Sequence, residues 1–342
     1  MTDSVQSKLI ISSATAVDCL ADEVLEEGEA GADVEWREAS VPVESHGGRL
    51  DRALAGVVPE FSRSYLQQLI EAAAVQLNGV TVTKASTKVK AGDRLRIELK
   101  PTPQSQAFKP EVMALDVVFE DDFLLVINKP AGLVVHPAPG NWSGTLLNGL
   151  LARDARACLL PRAGIVHRLD KNTSGLMVVA RQRQVMDQLV CMIAARSVSR
   201  QYMALAHGAW HGQKVRQVEL AVGRDPRNRL RMAVVDLGKS PGKTASTEIA
   251  LLQSGLRHCL VQCRLRTGRT HQIRVHMAAL GHPLVSDQLY GGQPAVGLMR
   301  QALHACKLAF EHPVTGQYME FNSALPVDIQ MAINDLGLGY NQ

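Results

Sequence analysis

The stretch that most narrows what this chain can become is Gly164-Ile-Val-His-Arg-Leu-Asp-Lys-Asn-Thr-Ser-Gly-Leu-Met-Val-Val-Ala180. Branched apolar residues flank a Lys-Asn-Thr-Ser-Gly turn cluster, which predicts a strand, a tight loop holding Asp170, and a second strand. Burying Asp170 behind an apolar run is costly, because a carboxylate leaving water needs a charged partner or hydrogen bonds. Arg168 stands two residues earlier, so on an extended backbone both side chains point to one side. Most loop Asp residues only cap their own turn, and the residues alone leave that role open beside a catalytic one.

A chain of 342 residues with 46% hydrophobic content can bury a full core and is expected to hold two domains. Aromatic residues make up only 4%, too few for a surface that grips nucleic acid mainly by base stacking. The net charge of +4 conceals an asymmetry. Residues 1–47 carry eleven acids against Lys8 and Arg37, a net −9, while the remainder carries 35 basic against 22 acidic residues, a net +13. A basic body points to a polyanionic partner, and the acidic leader is expected to be mostly disordered. The six cysteines show no CxxC spacing and no signal-like run opens the chain, which fits free thiols in a reducing cytoplasm. No apolar run reaches transmembrane length.

Residues 48–100 read as a small module. Arg49 to Leu54 and Ser62 to Ile70 have helical apolar spacing, with Ser62 as N-cap. Val75 to Val82 is a hairpin around Asn78-Gly79, a pair that favours a type I′ turn, and Leu95 to Leu99 alternates as a strand. A Pro- and Gln-rich linker, 101–107, separates this module from a large domain at 108–335. There, strand-like runs at 117–119, 124–127, 176–180, 199–206, 218–222, 247–252 and 258–266 follow one another with few helices between them. That order predicts an α+β fold with a large mixed, mainly antiparallel sheet flanked by helices and loops, not a doubly wound parallel one. Gln182 to Arg196 is an amphipathic helix; a second one, capped near Thr270, would bury Ile273, Met277 and Leu280. His271 and His276 miss the i, i+4 spacing that aligns two ligands on a helix, so no metal is expected. Gly242-Lys243-Thr244 lacks the upstream glycine of a phosphate loop, since position 237 is Leu237, which sets nucleotide hydrolysis aside.

His167-Arg168-Leu169-Asp170 followed by Lys171 to Leu176 resembles the catalytic loop of the RluA-type pseudouridine synthases, and the wider sequence is similar to the subfamily acting on large-subunit ribosomal RNA. Asn128 to Pro137, Gly242 to Thr247 and Arg266 to Met277 match further segments of that family; residues 48–100 resemble the S4 RNA-binding domain, with Ala73-Ala74 where a glycine is usual. The resemblance implies a pseudouridine synthase fold, Asp170 as nucleophile, and Tyr202 against the target base with a part in proton transfer. It also implies that Arg274 holds the Asp170 carboxylate bidentately and keeps it ionised, where the ordinary fate of such an Arg is a solvated helix face. Arg168 would fill the space left by a flipped nucleotide, and His167, Ile273 and Lys129 would contact the substrate. Arg49, Arg52, Arg63 and Lys84 are available for phosphates, as are clusters at Arg224, Arg227, Arg229 and Arg231 and at Arg181, Arg183, Arg196 and Arg200.

The expected reaction is isomerisation of uridine to pseudouridine in 23S ribosomal RNA, in the helix 69 stem-loop. Every product atom is already in the substrate, so no cofactor is expected; the expected partner is ribosomal RNA or an assembling large subunit, met by a monomer. Another structured RNA is an alternative target. A non-catalytic S4-type RNA binder would leave Asp170, Tyr202 and Arg274 unexplained. A glycosidic-bond hydrolase would need a second carboxylate as general acid, and none stands out in the motifs.

Overall fold

The computed structural model describes residues 35–99, 107–228 and 230–339, so residues 1–34 of the acidic leader, nearly all of the linker and Arg229 lie outside it. The chain divides into two compact units, 1–100 and 101–342, each with its own apolar core.

In the first unit, helices α1 (Leu50–Val57) and α2 (Arg63–Glu71) pack on a sheet of β1 (Glu35–Ser40), β2 (Val75–Leu77), β3 (Val80–Thr81) and β4 (Arg94–Leu99), in the order β1-β4-β2-β3. Ser62 caps α2 by accepting the Tyr65 N–H, and the β2–β3 turn has Asn78 and Gly79 at φ 52° and 81°, the two left-handed residues that a type I′ turn requires. One expectation is corrected. Residues 35–47, read as part of the disordered leader, contain β1 and a short 3₁₀ turn, and β1 pairs with β4 along its whole length. Trp36 to Ser40 has no buried face; the strand is held by its ladder, by Arg96 stacked 4.3 Å from the Trp36 ring, and by the buried plug of Val41 just beyond it. A strand without an apolar stripe gives no alternation for sequence reasoning to find.

The second unit contains β5 (Val117–Glu120), β6 (Leu124–Lys129), α3 (Leu146–Arg153), β7 (Ser174–Ala180), α4 (Arg183–Ala194), β8 (Ser199–His207), β9 (Val215–Val218), β10 (Val222–Arg224), β11 (Met232–Val234), β12 (Gly242–Lys243), β13 (Thr247–Ser254), β14 (His258–Leu265), α5 (Gln272–Ala279), β15 (Leu303–Glu311), β16 (Tyr318–Asn322) and α6 (Val327–Asp335). Its main sheet runs β5-β6-β7-β15-β8-β14-β13-β9, with β16 added on β15; β7 and β15 are parallel, and the other pairs are antiparallel. Strand β8 illustrates why both faces are covered. Tyr202, Ala204 and Ala206 enter one apolar cluster, while Met203 and Leu205 enter another that includes α6 residues Ile329, Ala332 and Ile333.

A second correction concerns the Asp170 loop. The strand expected before it does not form; Ile165 makes a single bridge to Val179, and the Val178 N–H is taken by the His167 imidazole Nε2 at 3.1 Å. A side chain thus occupies a ladder position that a neighbouring carbonyl would otherwise fill. Immediately upstream the backbone turns through Arg162, Ala163 and Gly164, all left-handed, and a Cβ at Gly164 would lie 1.9 Å from the Ala180 carbonyl oxygen.

Candidate active site

Asp170 begins a turn closed by the Thr173 N–H on its carbonyl, as the turn-rich sequence after it predicts. The turn is clamped from behind. The Lys171 carbonyl accepts from the Gly132 N–H at 2.8 Å and from Lys129 Nζ at 3.1 Å, and the Asn172 carbonyl accepts from Arg300. Lys129 also donates to the carbonyls of Pro130 and Leu133, so its three ammonium protons all have acceptors inside the protein. Burial pushes its pKa down to about 7 against the pull of the Asp170 charge. The expectation that Lys129 meets substrate is therefore corrected: it is buried, does not line the cleft, and ties the β6 end to the Asp170 turn.

The cleft over this turn has a volume of about 520 Å³ and brings together Arg168, Asp170, Tyr202, Ile273 and Arg274. Helix α5 supplies the last two, and it is buried on almost every side because its polar residues have internal partners. Gln272 donates to the Ser246 carbonyl and to Thr247 Oγ1, while His276 bonds Thr247 Oγ1 and the Leu220 carbonyl. Thr247 of the Gly242–Thr247 segment thus seats the helix. Its N-cap is left-handed His271, φ 57°, next to Thr270, near which the cap was expected.

Arg274 reaches Asp170 by one bond, Nη1 to Oδ2 at 3.1 Å. Its bidentate partner is Asp287, whose two oxygens accept from Nε and Nη2 at 2.8 Å each. The expected bidentate hold on Asp170 is corrected accordingly. Burial works against the Arg274 charge, but the Asp287 hydrogen bonds and both carboxylates outweigh it, and the pKa is raised. The cation is thus fixed in place and points its remaining edge at Asp170. The other Asp170 oxygen faces His271 Nε2 at 3.8 Å; His271 Nδ1 lies 2.7 Å from the Tyr290 hydroxyl, which accepts the Met232 N–H. Burial, more than the opposing pull of Asp170, lowers the His271 pKa, favouring the neutral ring.

Tyr202 is 5% exposed, and burial pushes its phenol up to about 12, so it stays protonated at neutral pH. His167 contacts the cleft wall, but its Nε2 is committed to β7, and burial with the Arg200 charge pushes its pKa down to about 3. It lines the cleft and at the same time holds the loop to β7. In the first unit, Arg49 and Arg63 both bind the buried Asp51 carboxylate, with Gln67 as a third donor. These two arginines keep only their outward edges for phosphates; Arg52 and Lys84 are exposed.

Asp287, His271 and Tyr290 escaped assignment to the site. A signal for Asp287 existed: Pro283-Leu284-Val285-Ser286-Asp287 repeats the pattern of an apolar run ending in Asp that singled out Asp170. A second carboxylate is therefore near, yet both its oxygens are bound by Arg274 and it is 2% exposed, so neither oxygen is free to face a leaving group as a hydrolase's general acid must. Among the described residues, no group of three or more His, Cys, Asp or Glu side chains could hold a metal ion, and no helix is long and apolar enough to cross a membrane.

Comparison with known proteins gives two family matches: RNA pseudouridylate synthase over residues 123–279, and S4 domain over residues 48–95. The chain is 47% identical to the ribosomal large subunit pseudouridine synthase D of Neisseria meningitidis serogroup A, over 87% of this chain and 81% of that protein. It is 43% identical to the protein of the same name from Xanthomonas campestris, over 89% and 93%. Among solved structures, human RNA pseudouridylate synthase domain containing 4 superposes with a TM-score of 0.53 at 23% identity, covering 66% of this chain and 95% of that one.

Proposed function

Because this chain belongs to the RNA pseudouridylate synthase family, we propose that it converts specific uridines of large-subunit ribosomal RNA to pseudouridine, in the helix 69 stem-loop, with Asp170 as nucleophile. In this isomerisation the N1–C1′ bond breaks, the uracil turns, and a C5–C1′ bond forms; the C5 proton is lost and N1 gains one. The observation that carries the reading is the line Asp287–Arg274–Asp170, in which a cation fixed by one carboxylate faces a second at the cleft floor. A guanidinium so held keeps one edge on the Asp170 carboxylate and orients it toward the cleft without being drawn away from it.

A target uridine stacked in a stem-loop must leave the helix to reach this floor. Arg168, exposed at the rim, takes the vacated space, and Tyr202 lies against the flipped uracil as a neutral phenol. Arg52 and Lys84, with the outward edges of Arg49 and Arg63, contribute phosphate contacts that set affinity and target choice. The test is tritium release from C5-labelled uridine in a helix 69 stem-loop, with pseudouridine mapped in ribosomal RNA from cells lacking the protein. Asp170→Asn should bind RNA nearly as wild type and release no tritium. Activity near wild type in that variant would remove the nucleophile from the proposal, and an unchanged pseudouridine map would remove the target.

A further inference from the structure

Five ionisable side chains other than histidine are charged in water yet buried among the described residues: Asp51, Lys129, Arg200, Arg274 and Asp287. Four of them are compensated inside the protein. Asp51 has two arginines and a glutamine, Lys129 has three carbonyls, and Arg274 and Asp287 have each other. Arg200 is the exception. It is 5% exposed, its Nε is cut off from water with no acceptor, and among the described residues its guanidinium has neither a hydrogen-bond nor an ion-pair partner. A cation that exposes so little of itself, through the cleft alone, and has no protein partner is costly unless a ligand compensates it.

Its position says which ligand. Arg200 stands two residues before Tyr202 on β8, so both project from the same face, and both line the cleft. The opposite wall makes room for it: a Cβ at Gly268 would lie 2.9 Å from Arg200 Nη1. Among the described residues, no carboxylate pairs with it, and Asp170 is the one acid that lines the same cleft. The adjacent His167 ring is kept neutral by burial and by Arg200 itself, the Tyr202 phenol is protonated, and the Asp170 carboxylate faces Arg274.

We propose that Arg200 is the internal phosphate site of the cleft, receiving a phosphodiester that flanks the flipped nucleotide; this rests on the RNA-modifying reading above. A uracil carbonyl would leave the buried charge uncompensated, whereas a phosphodiester brings a full negative charge and two non-bridging oxygens that match the planar fork of a guanidinium. The contact differs from those of rim arginines such as Arg168 and Arg196, which are exposed and keep their water. One buried contact of this kind anchors the backbone while the base is turned beneath it, so Arg200 acts as a binding and positioning residue.

The experiment compares wild type with Arg200→Gln and Arg200→Lys. Without RNA, Arg200→Gln should melt at the same temperature as wild type or a few degrees higher, because the uncompensated buried charge is gone. Its affinity for a helix 69 stem-loop should fall about tenfold to a hundredfold, the loss of one charge-assisted contact, with KM rising more than kcat falls. Arg200→Lys should recover part of the affinity. Replacing each flanking phosphate in turn by a neutral methylphosphonate should weaken wild type at one of the two positions and leave Arg200→Gln unaffected there. A variant that melts early but binds RNA as wild type would make Arg200 a structural residue, and a methylphosphonate penalty equal in both proteins would overturn the assignment. Wild type that makes no pseudouridine in this RNA would count against the proposed function instead; the Arg200 site is then read from inorganic phosphate, which should raise the melting temperature of wild type and not of Arg200→Gln.

Discussion

At the scale of single residues, the site depends on how buried charges are shared. Arg274 serves two carboxylates, so Arg274→Met leaves Asp287 buried and unpaired, a loss of about 3–5 kcal/mol by the usual cost of breaking such a pair. Combining it with Asp287→Leu should restore much of the melting temperature while tritium release stays abolished; recovery of neither would mean the pair is not the source of the cost. Losses from Asp170→Asn and Arg274→Met should be strongly non-additive, since the two act as one unit. Single-turnover rates of the double variant check this, and an effect equal to the product of the two would dissolve the unit. Two histidines held neutral, partly exposed His167 and buried His304, set an acid limit on stability. The His167 pKa is pushed down to about 3 and that of His304 to about 4, both mainly by burial, whereas the unfolded rings titrate near 6.5. Between those values the unfolded chain binds more protons, so their contribution is complete above pH 6.5 and is lost as pH falls toward 3–4. Melting scans from pH 7 to 4 should fall steeply, and His167→Gln should flatten the slope by up to about 1.4 kcal/mol per pH unit. That Asp170, Tyr202 and Arg274 share one cleft follows the segments of the chain that carry the family resemblance, whereas the Arg274–Asp287 pair depends on a contact that no local pattern encodes.

At the scale of elements, two turns carry strain that substitution can report. Ala73, just past the end of α2, has φ 58°, a conformation that costs a side-chain-bearing residue about 1 kcal/mol and glycine almost nothing. Ala73→Gly should therefore raise the stability of the first unit by up to that amount, seen as a higher denaturation midpoint; a lower midpoint would mean that chain entropy outweighs the relief. Gly175 has the opposite lesson. It opens β7 at φ 115°, and a Cβ there would lie 2.2 Å from the Ala305 carbonyl oxygen, where β7 meets β15. Gly175→Ala must push the strands apart under the Asp170 turn and should reduce both stability and turnover; wild-type values for both would show that the strands shift at no cost. The strands with an apolar face, such as β8 and β14, were readable from alternation, and the Asn78-Gly79 turn from its dipeptide. β1 was not, because pairing holds it in place of burial, and the apolar residues before Asp170 form no strand because they pack as irregular backbone bridged by an imidazole.

At the scale of the whole molecule, the two units have separate cores, and the basic excess belongs to the second, at net +9 over residues 101–342, while residues 1–100, with the acidic leader, carry net −5. A protein truncated to begin at Ala107 keeps every residue of the cleft and its core. It should fold, retain slow turnover on a short stem-loop at high enzyme concentration, and bind with a salt dependence shallower by about one unit of slope for each phosphate contact removed. A folded truncation inactive at saturating RNA would give the first unit a part in the chemistry. The division itself was legible because a Pro- and Gln-rich run interrupts two differently patterned stretches. A last consequence concerns competition. An enzyme whose cleft is lined with arginines floods its own floor with rival anions each time it engages a polyanion, and any guanidinium with a free edge is open to capture. Asp287, by occupying two faces of Arg274 permanently, withdraws that one cation from the contest and reserves its last edge for Asp170.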